Sequence, residues 1–351
     1  MEKNNRPFYS IIIPCYNTKA DNMKLLLESI LKQNMNDEIE IIISNDRSTE
    51  TAFLDVIKEY KDLNIKVIEV PDNEDLIHCP GNVREVGVSI ATGQWITFVD
   101  HDDELIPNSF KEIKNAIIES KEQYIASANF YEINPFTGEI LNEFVHTGNW
   151  MHGKFYNLDN FWKAKNFHFK KNLTTHEDIL ISSKVKCELD RQNKISPYYI
   201  ETFCLLWKAW PDSTSRVNYN SIGFLETFFR DYIASTMDYY IEDFIYSINE
   251  LKDDSELNLY NHLRLCIDVL MHMYFYVQGF KFKNPNGYIL ENEYLLYWYK
   301  RKICELFNID CNFIYACLKE NSEWYTNVRK SAMIGIGHFV ETDSFIDFLL
   351  K

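Results

Sequence analysis

Two acidic clusters, Asp100-His101-Asp102-Asp103 and His176-Glu177-Asp178, hold the residue types with which this chain could do chemistry. The first follows an apolar run at residues 95–99, which reads as a buried strand. Carboxylates at the carboxyl end of a central strand stand where open α/β sheets bind their ligands. Hard oxygen donors there suit Mg²⁺ or Mn²⁺, and such a cation suits a diphosphate. The second cluster opens the apolar stretch Ile179-Leu180-Ile181 and can set a carboxylate opposite that cation. A charged leaving group at one cluster and a base at the other is the layout of group transfer.

The elements that must position these clusters alternate along the first 130 residues. Apolar runs at 8–13 (stopped by Pro14), 39–43, 65–70 and 95–99 read as buried parallel strands. Between them, 23–33, 51–60 and 81–91 carry helical patterns, with Gly93 as a C-terminal stop. This βαβαβ order predicts a doubly wound α/β sheet, a Rossmann-like nucleotide-binding half over residues 1–130. Residues 124–156 become strand-like, with Pro135-Phe136-Thr137-Gly138 as a turn between hairpin arms. Helices are expected at 158–165 and 175–187, a strand at 198–203 and a loop at 210–216. Residues 131–220 thus form a second half of the same domain, and 221–351 a small helical C-terminal domain. In that domain Tyr294, Tyr297, Trp298 and Tyr299 offer either a homo-oligomer contact or an acceptor platform.

The composition excludes some functions. With 36 Lys and Arg against 52 Asp and Glu, the net charge of −16 argues against broad nucleic-acid binding or adhesion to an anionic membrane. No stretch approaches the roughly 18 apolar residues of a membrane span, and no apolar signal core follows Met1. The eight cysteines form no CxxC and no zinc-like spacing, which fits a reducing compartment. The expected location is cytoplasmic, with the inner face of the membrane within reach.

Several pieces stand in the order and spacing of a known family. They are Ile13-Pro14-Cys15-Tyr16-Asn17, Ser44-Asn45-Asp46-Arg47-Ser48-Thr49, Gly81-Asn82-Val83-Arg84 leading to Ala91-Thr92-Gly93, and Phe98-Val99 ahead of the first acidic cluster. Further on, Trp150-Met151-His152-Gly153-Lys154-Phe155-Tyr156 precedes His176-Glu177-Asp178. Over residues 8–216 the chain resembles the family-two glycosyltransferases of the GT-A fold, whose sheet is mixed. It departs from them at Arg47, which replaces the glycine of the usual Asp-Gly-Ser. The QxxRW motif of membrane-embedded processive synthases is absent. The layout looks closest to soluble bacterial or phage enzymes that decorate surface polymers such as teichoic acid.

The resemblance implies an inverting, metal-dependent transfer of a hexose or N-acetylhexosamine from a UDP-sugar to a glycan or cell-surface polymer. Pro14, Tyr16 and Asn17 would hold base and ribose, and Asp46 would accept the uracil N3 proton. Without the resemblance, Asp46 reads as a helix cap. Asn82 and Arg84 would approach the nucleotide or donor sugar; an ion pair of Arg84 with Glu85 or another acid is the alternative. Asp100, with His101 beside it, would touch ribose or a metal-bound water, and Asp102 with Asp100 would hold Mn²⁺ or Mg²⁺. Asp178 would be the general base and Glu177 its support, where both also fit as first-turn helix acids. His152, Gly153 and Lys154 would floor the acceptor pocket, with Lys154 meeting an acceptor phosphate. Ser213, Ser215 and Arg216 would close over the diphosphate. Two other readings remain open at this stage: a degenerate domain acting as a binding scaffold, and a sugar nucleotidyltransferase. The latter usually carries a Gly-rich, basic loop after its first strand, which Pro14-Cys15-Tyr16-Asn17 is not.

Overall fold

The computed structural model describes residues 6–73, 76–147, 151–169 and 196–211, single positions between 171 and 194, and residues 300 and 301. The chain divides into two compact units, Met1–Val217 with Arg230–Ser235, and Asn218–Phe229 with Thr236–Lys351. The helical C-terminal domain expected from residue 221, its aromatic cluster at 294–299 and the loop residues Ser213, Ser215 and Arg216 lie outside the described residues. Among the described residues no helix is long and apolar enough to cross a membrane.

The first unit is built on a nine-stranded mixed sheet. Its strands are β1 (Tyr9–Cys15), β2 (Ile39–Asn45), β3 (Asn64–Glu69), β4 (Trp95–Phe98), β5 (Glu104–Leu105), β6 (Ile125–Ile133), β7 (Ile140–Phe144), β8 (Lys154–Asn157) and β9 (Tyr198–Lys208). The order is β3-β2-β1-β4-β8-β6-β9-β5, with β7 paired to β6. The first four strands are parallel, as expected for a doubly wound half. Strand β8 then joins β4 and β6 in antiparallel register, and β9 runs parallel to β6. The helices are α1 (Ala20–Leu31), α2 (Ala52–Glu59), α3 (Pro80–Ile90) and α4 (Ser109–Ser120).

Strands β1 and β2 are apolar at nearly every position because both of their faces are covered. Side chains alternate across a strand. Ile11, Ile13, Ile41 and Ile43 accordingly pack with Leu26 and Ile30 of α1, Phe53 of α2 and Ile113 of α4. Ile12 and Ile42 pack on the other face with Val88 of α3, Phe98 and Trp162. A π-helical turn at Leu158–Lys163 replaces the α-helix expected over 158–165. Glu177, Asp178, Ile181, Ser182, Val185, Glu188 and Leu189 are helical, and the apolar members of this set join the second cluster.

Two glycine and proline expectations change. Strand β1 does not stop at Pro14 but runs to Cys15. The Cys15 carbonyl accepts from Asp46 on the β2 side, whereas the Ile12 carbonyl accepts from Val99 on the β4 side. Pro14 shares the direction of Ile12, and β4 has ended at Phe98, so the missing N–H faces no strand. Gly93 is no left-handed stop. A Cβ there would lie 2.6 Å from the Ser10 backbone nitrogen, so glycine is needed for close approach to β1.

The same corner holds a buried carboxylate. Glu40 accepts from Ser10 Oγ at 2.6 Å, Thr92 N at 2.9 Å and Thr92 Oγ1 at 2.8 Å, and pairs with Lys66. Burial pushes its carboxyl up, but the bonds from Lys66, Ser10 and Thr92 outweigh that and hold it below the usual range. Such a group contributes fully above its unfolded pKa of about 4.3 and loses the contribution as pH falls through the lower folded value. Glu40→Gln is expected to cost about 1–3 kcal/mol at neutral pH. Urea unfolding should show the gap to wild type closing on acidification; a gap that persists would contradict the assignment.

Candidate active site

Strands β1, β2 and β4 end on one edge of the sheet, with β1 between the other two. This is the switch point at which open sheets bind ligands. Tyr16 and Asn17 follow β1, Asp46 follows β2, and Asp100 stands two residues beyond β4.

At the β1–β2 side, Tyr16 is half-exposed. The Asn17 side-chain oxygen accepts from the backbone of Thr49 at 2.8 Å and of Glu50 at 3.0 Å. Through that oxygen Asn17 ties two loops together. Asp46 is buried, and its Oδ1 accepts from Arg47 Nη2 at 2.8 Å and Nε at 3.1 Å. Its Oδ2 lies 3.1 Å from Nδ1 of His78, whose ring rests on Tyr16 with centroids 4.7 Å apart. Arg47 takes the left-handed φ of +55° that the replaced glycine would adopt freely, a strain of roughly 1–2 kcal/mol. Its guanidinium, held on Asp46 and on the Leu76 carbonyl at 3.2 Å, offsets that strain.

Arg84 of α3 is nearly buried and gives both ends of its guanidinium to carboxylates. Nη2 reaches Asp100 Oδ1 at 2.7 Å and Nη1 binds Glu177 Oε1. This single side chain joins the two acidic clusters, which stand 77 residues apart counting from Asp100 to Glu177. Burial pushes the guanidinium pKa down, but Asp100, Glu177 and Asp178 outweigh it and keep it up. Asp178 is half-buried and its charge also raises the Tyr156 hydroxyl, after burial itself. Asn82, on the same helix, donates to the Ile77 carbonyl at 3.0 Å.

Beside Asp100 the structure gathers Asp103 and His152, their ligand atoms within 4.8 Å of one another. Asp102, the second ligand expected from sequence, lies outside this group. The chain turns after Asp100 through an Asp103 N–H to Asp100 carbonyl bond of 3.1 Å, which sends Asp103 inward. Asp103 Oδ1 accepts from Lys208 N at 2.9 Å, whereas Oδ2 is buried without a hydrogen-bond partner. Burial, then Asp102 and Asp100, push the Asp103 carboxyl well above the usual range. At Asp100 burial acts upward too, but Arg84 and His152 hold the carboxyl below its ordinary value. His152 Nε2 stands 3.9 Å from both Asp100 Oδ2 and Asp103 Oδ2, and its ring packs against those of Phe130 and Trp207. Burial lowers its pKa to about 4 against the pull of Asp100, so the imidazole is neutral at physiological pH. Two inward carboxylates and a neutral imidazole form a donor set that fits a divalent cation, which would satisfy the orphaned Asp103 oxygen.

Gly153 adopts φ +68°, and a Cβ there would lie 2.5 Å from the Ala128 carbonyl, so glycine lets the His152 turn press on β6. Lys154, expected on the acceptor side, points into the fold. It is buried, and Nζ donates to Ser127 Oγ at 2.9 Å, to the Thr147 carbonyl and to Thr147 Oγ1 at 3.3 Å. Burial lowers its pKa to about 7. Lys154 thus pins Thr147 to β6. His78, Phe130 and Trp207 are members of the site that the sequence pattern did not single out, and Asp103, part of the first acidic cluster, takes the place expected for Asp102. For Phe130 and Trp207 the only available signal was an apolar strand pattern.

Residues 10–181 match the family model described as Glycosyl transferase family 2. A glycosyltransferase of Methanocaldococcus jannaschii is 26% identical over 54% of this chain and 61% of its own length. The Staphylococcus aureus poly(ribitol-phosphate) beta-N-acetylglucosaminyltransferase TarS is 32% identical over 30% of this chain and 18% of its own length. The chain therefore covers less than two-thirds of either relative. The crystal structure of S. aureus TarS 1-349 in complex with UDP-GlcNAc superposes with a TM-score of 0.60 at 19% identity, covering 95% of this chain and 93% of that one. That likeness identifies the fold as GT-A. Residues 10–181 therefore form a glycosyl transferase family 2 domain.

Proposed function

We propose that this protein transfers a hexose or N-acetylhexosamine from a UDP-sugar to a hydroxyl of a glycan or teichoic-acid-like surface polymer, with inversion. The observation that carries the reading is the Arg84 bridge, which sets the Asp100, Asp103 and His152 group beside Glu177 and Asp178. One group suits a diphosphate with its cation and the other suits a base. The donor class is supported by the UDP-GlcNAc complex of TarS, and the acceptor class by the names of the poly(ribitol-phosphate) transferases.

Asp100, Asp103 and His152 would hold Mn²⁺ or Mg²⁺, with Asp102 and His101 adjoining. When bound, the cation supplies charge neutralisation to the diphosphate leaving group. Tyr16 offers a half-exposed ring to the base, and Asp46 offers an oxygen to its imide N–H. Asp178 accepts the acceptor hydroxyl proton while that oxygen bonds to the anomeric carbon, and the bond to UDP breaks with its electron pair leaving on the phosphate. Glu177 is unsuited to that step because its carboxylate is buried on Arg84, so it positions Asp178 instead. Ser213, Ser215 and Arg216 are proposed to close over the diphosphate and exclude water.

The test is UDP release from a panel of UDP-sugars, with Mn²⁺ and with EDTA. Slow release from one donor that EDTA abolishes is expected. Neither release nor UDP binding in the presence of metal would favour a scaffold role.

A further inference from the structure

We propose that His78 occupies the nucleobase subsite of the resting protein, and that a uridine nucleotide binds by displacing it. This inference rests on the reading of Tyr16 and Asp46 as the base-binding pair.

The His78 ring takes both features that a uracil would need. It lies on Tyr16 with ring centroids 4.7 Å apart and planes 39° from parallel. A base sandwiched between two rings needs a carbon contact of about 3.5 Å on each side, hence roughly 7 Å between them. No base fits between Tyr16 and His78 as they stand. His78 Nδ1 also lies 3.1 Å from Asp46 Oδ2. The other oxygen, Oδ1, is already taken by Arg47 through Nη2 and Nε. Oδ2 is therefore the oxygen left for an imide N–H, and His78 stands against it.

The imidazole can leave at low cost. Its side chain is 49% exposed, against 3% for Asp46. It belongs to the connection between β3 and α3, after Glu69 and before Pro80. Removal leaves Asp46 with the Arg47 bonds, and Tyr16 gains only solvent on one face. His78 behaves as an internal competitor: it stands against a carboxylate oxygen and covers an aromatic face until a ligand takes both places. The apparent affinity for nucleotide is then reduced by the fraction of molecules in which the subsite is self-occupied.

Calorimetric titration of the full chain with UDP in the presence of Mn²⁺ tests this, comparing wild type with His78→Ala and His78→Ser. One polar contact at 3.1 Å and one ring contact at a half-exposed site correspond to about three- to tenfold in apparent affinity. Both variants are expected to bind UDP more tightly by that factor, with thermal midpoints close to wild type. Unchanged affinity would overturn the proposal. Weaker binding by both variants would overturn it too, by showing that the imidazole contacts the base directly. If neither wild type nor variants bind UDP, the base-subsite reading itself fails, and the competitor role falls with it.

Discussion

Asp178→Asn is expected to leave UDP binding within about twofold of wild type while lowering sugar transfer by about 10²–10⁴-fold, the range for loss of a general base. Asparagine keeps the size of the side chain, so the neighbourhood of Arg84 and Tyr156 loses one charge and no volume. The amide cannot take a proton from the attacking hydroxyl, whereas the nucleotide subsite at Tyr16, Asp46 and Asp100 stays as it was. The split between binding and turnover is the informative readout. Calorimetry with UDP, paired with product formation from a competent donor and acceptor, measures both halves. Transfer retained above a tenth of wild type would remove Asp178 from the base role. Binding lost together with transfer would mean that Asp178 helps to build the donor site.

The choice of Asp178 over its neighbour illustrates where sequence and structure divide the work. Reading the chain placed an acid pair ahead of an apolar helix, and the family resemblance favoured the second acid. The physical reason emerges only from α3. Arg84 binds Glu177 and leaves that carboxylate buried. An arginine in one helix and a glutamate 93 residues later cannot be matched from their types alone. The doubly wound half was legible for a simpler reason. Strands covered on both faces must be apolar at nearly every position, and β1 and β2 are. Helix α4 carries an equally legible stripe in Phe110, Ile113 and Ile117, directly after the acidic loop. Which aspartate of the first cluster turns inward was not readable. It depends on the backbone turn after Asp100 and on the Lys208 N–H, which arrives from β9. Lys154 shows the same limit. A lysine is almost never fully buried unless paired, and one acceptor that permits it, Ser127, arrives from β6 across the sheet.

The Arg84 bridge sets the other large expectation, and here the effect falls on stability as well as activity. Arg84→Met keeps an unbranched side chain of similar reach and deletes the charge. Glu177 then keeps its carboxylate in a buried position without that partner, and Asp100 is left among Asp102 and Asp103 with less to hold it ionised. Breaking a buried ion pair from one side typically costs 3–5 kcal/mol. The Asp100 side chain is 33% exposed and can recover part of its hydration, so about 3 kcal/mol is expected here. Adding Glu177→Gln to Arg84→Met should restore part of the loss, because the charge stranded by the first change is gone. The two substitutions should therefore be strongly non-additive in a double-mutant cycle read by urea unfolding. Additive losses would show that Arg84 and Glu177 act independently. Unfolding at the wild-type midpoint, combined with a raised KM for the UDP-sugar, would instead make Arg84 a direct donor ligand. The positioning role predicts the reverse: a lowered unfolding midpoint and a loss in turnover, because Glu177 carries Asp178 on the same helical turn and cannot hold it in place without Arg84.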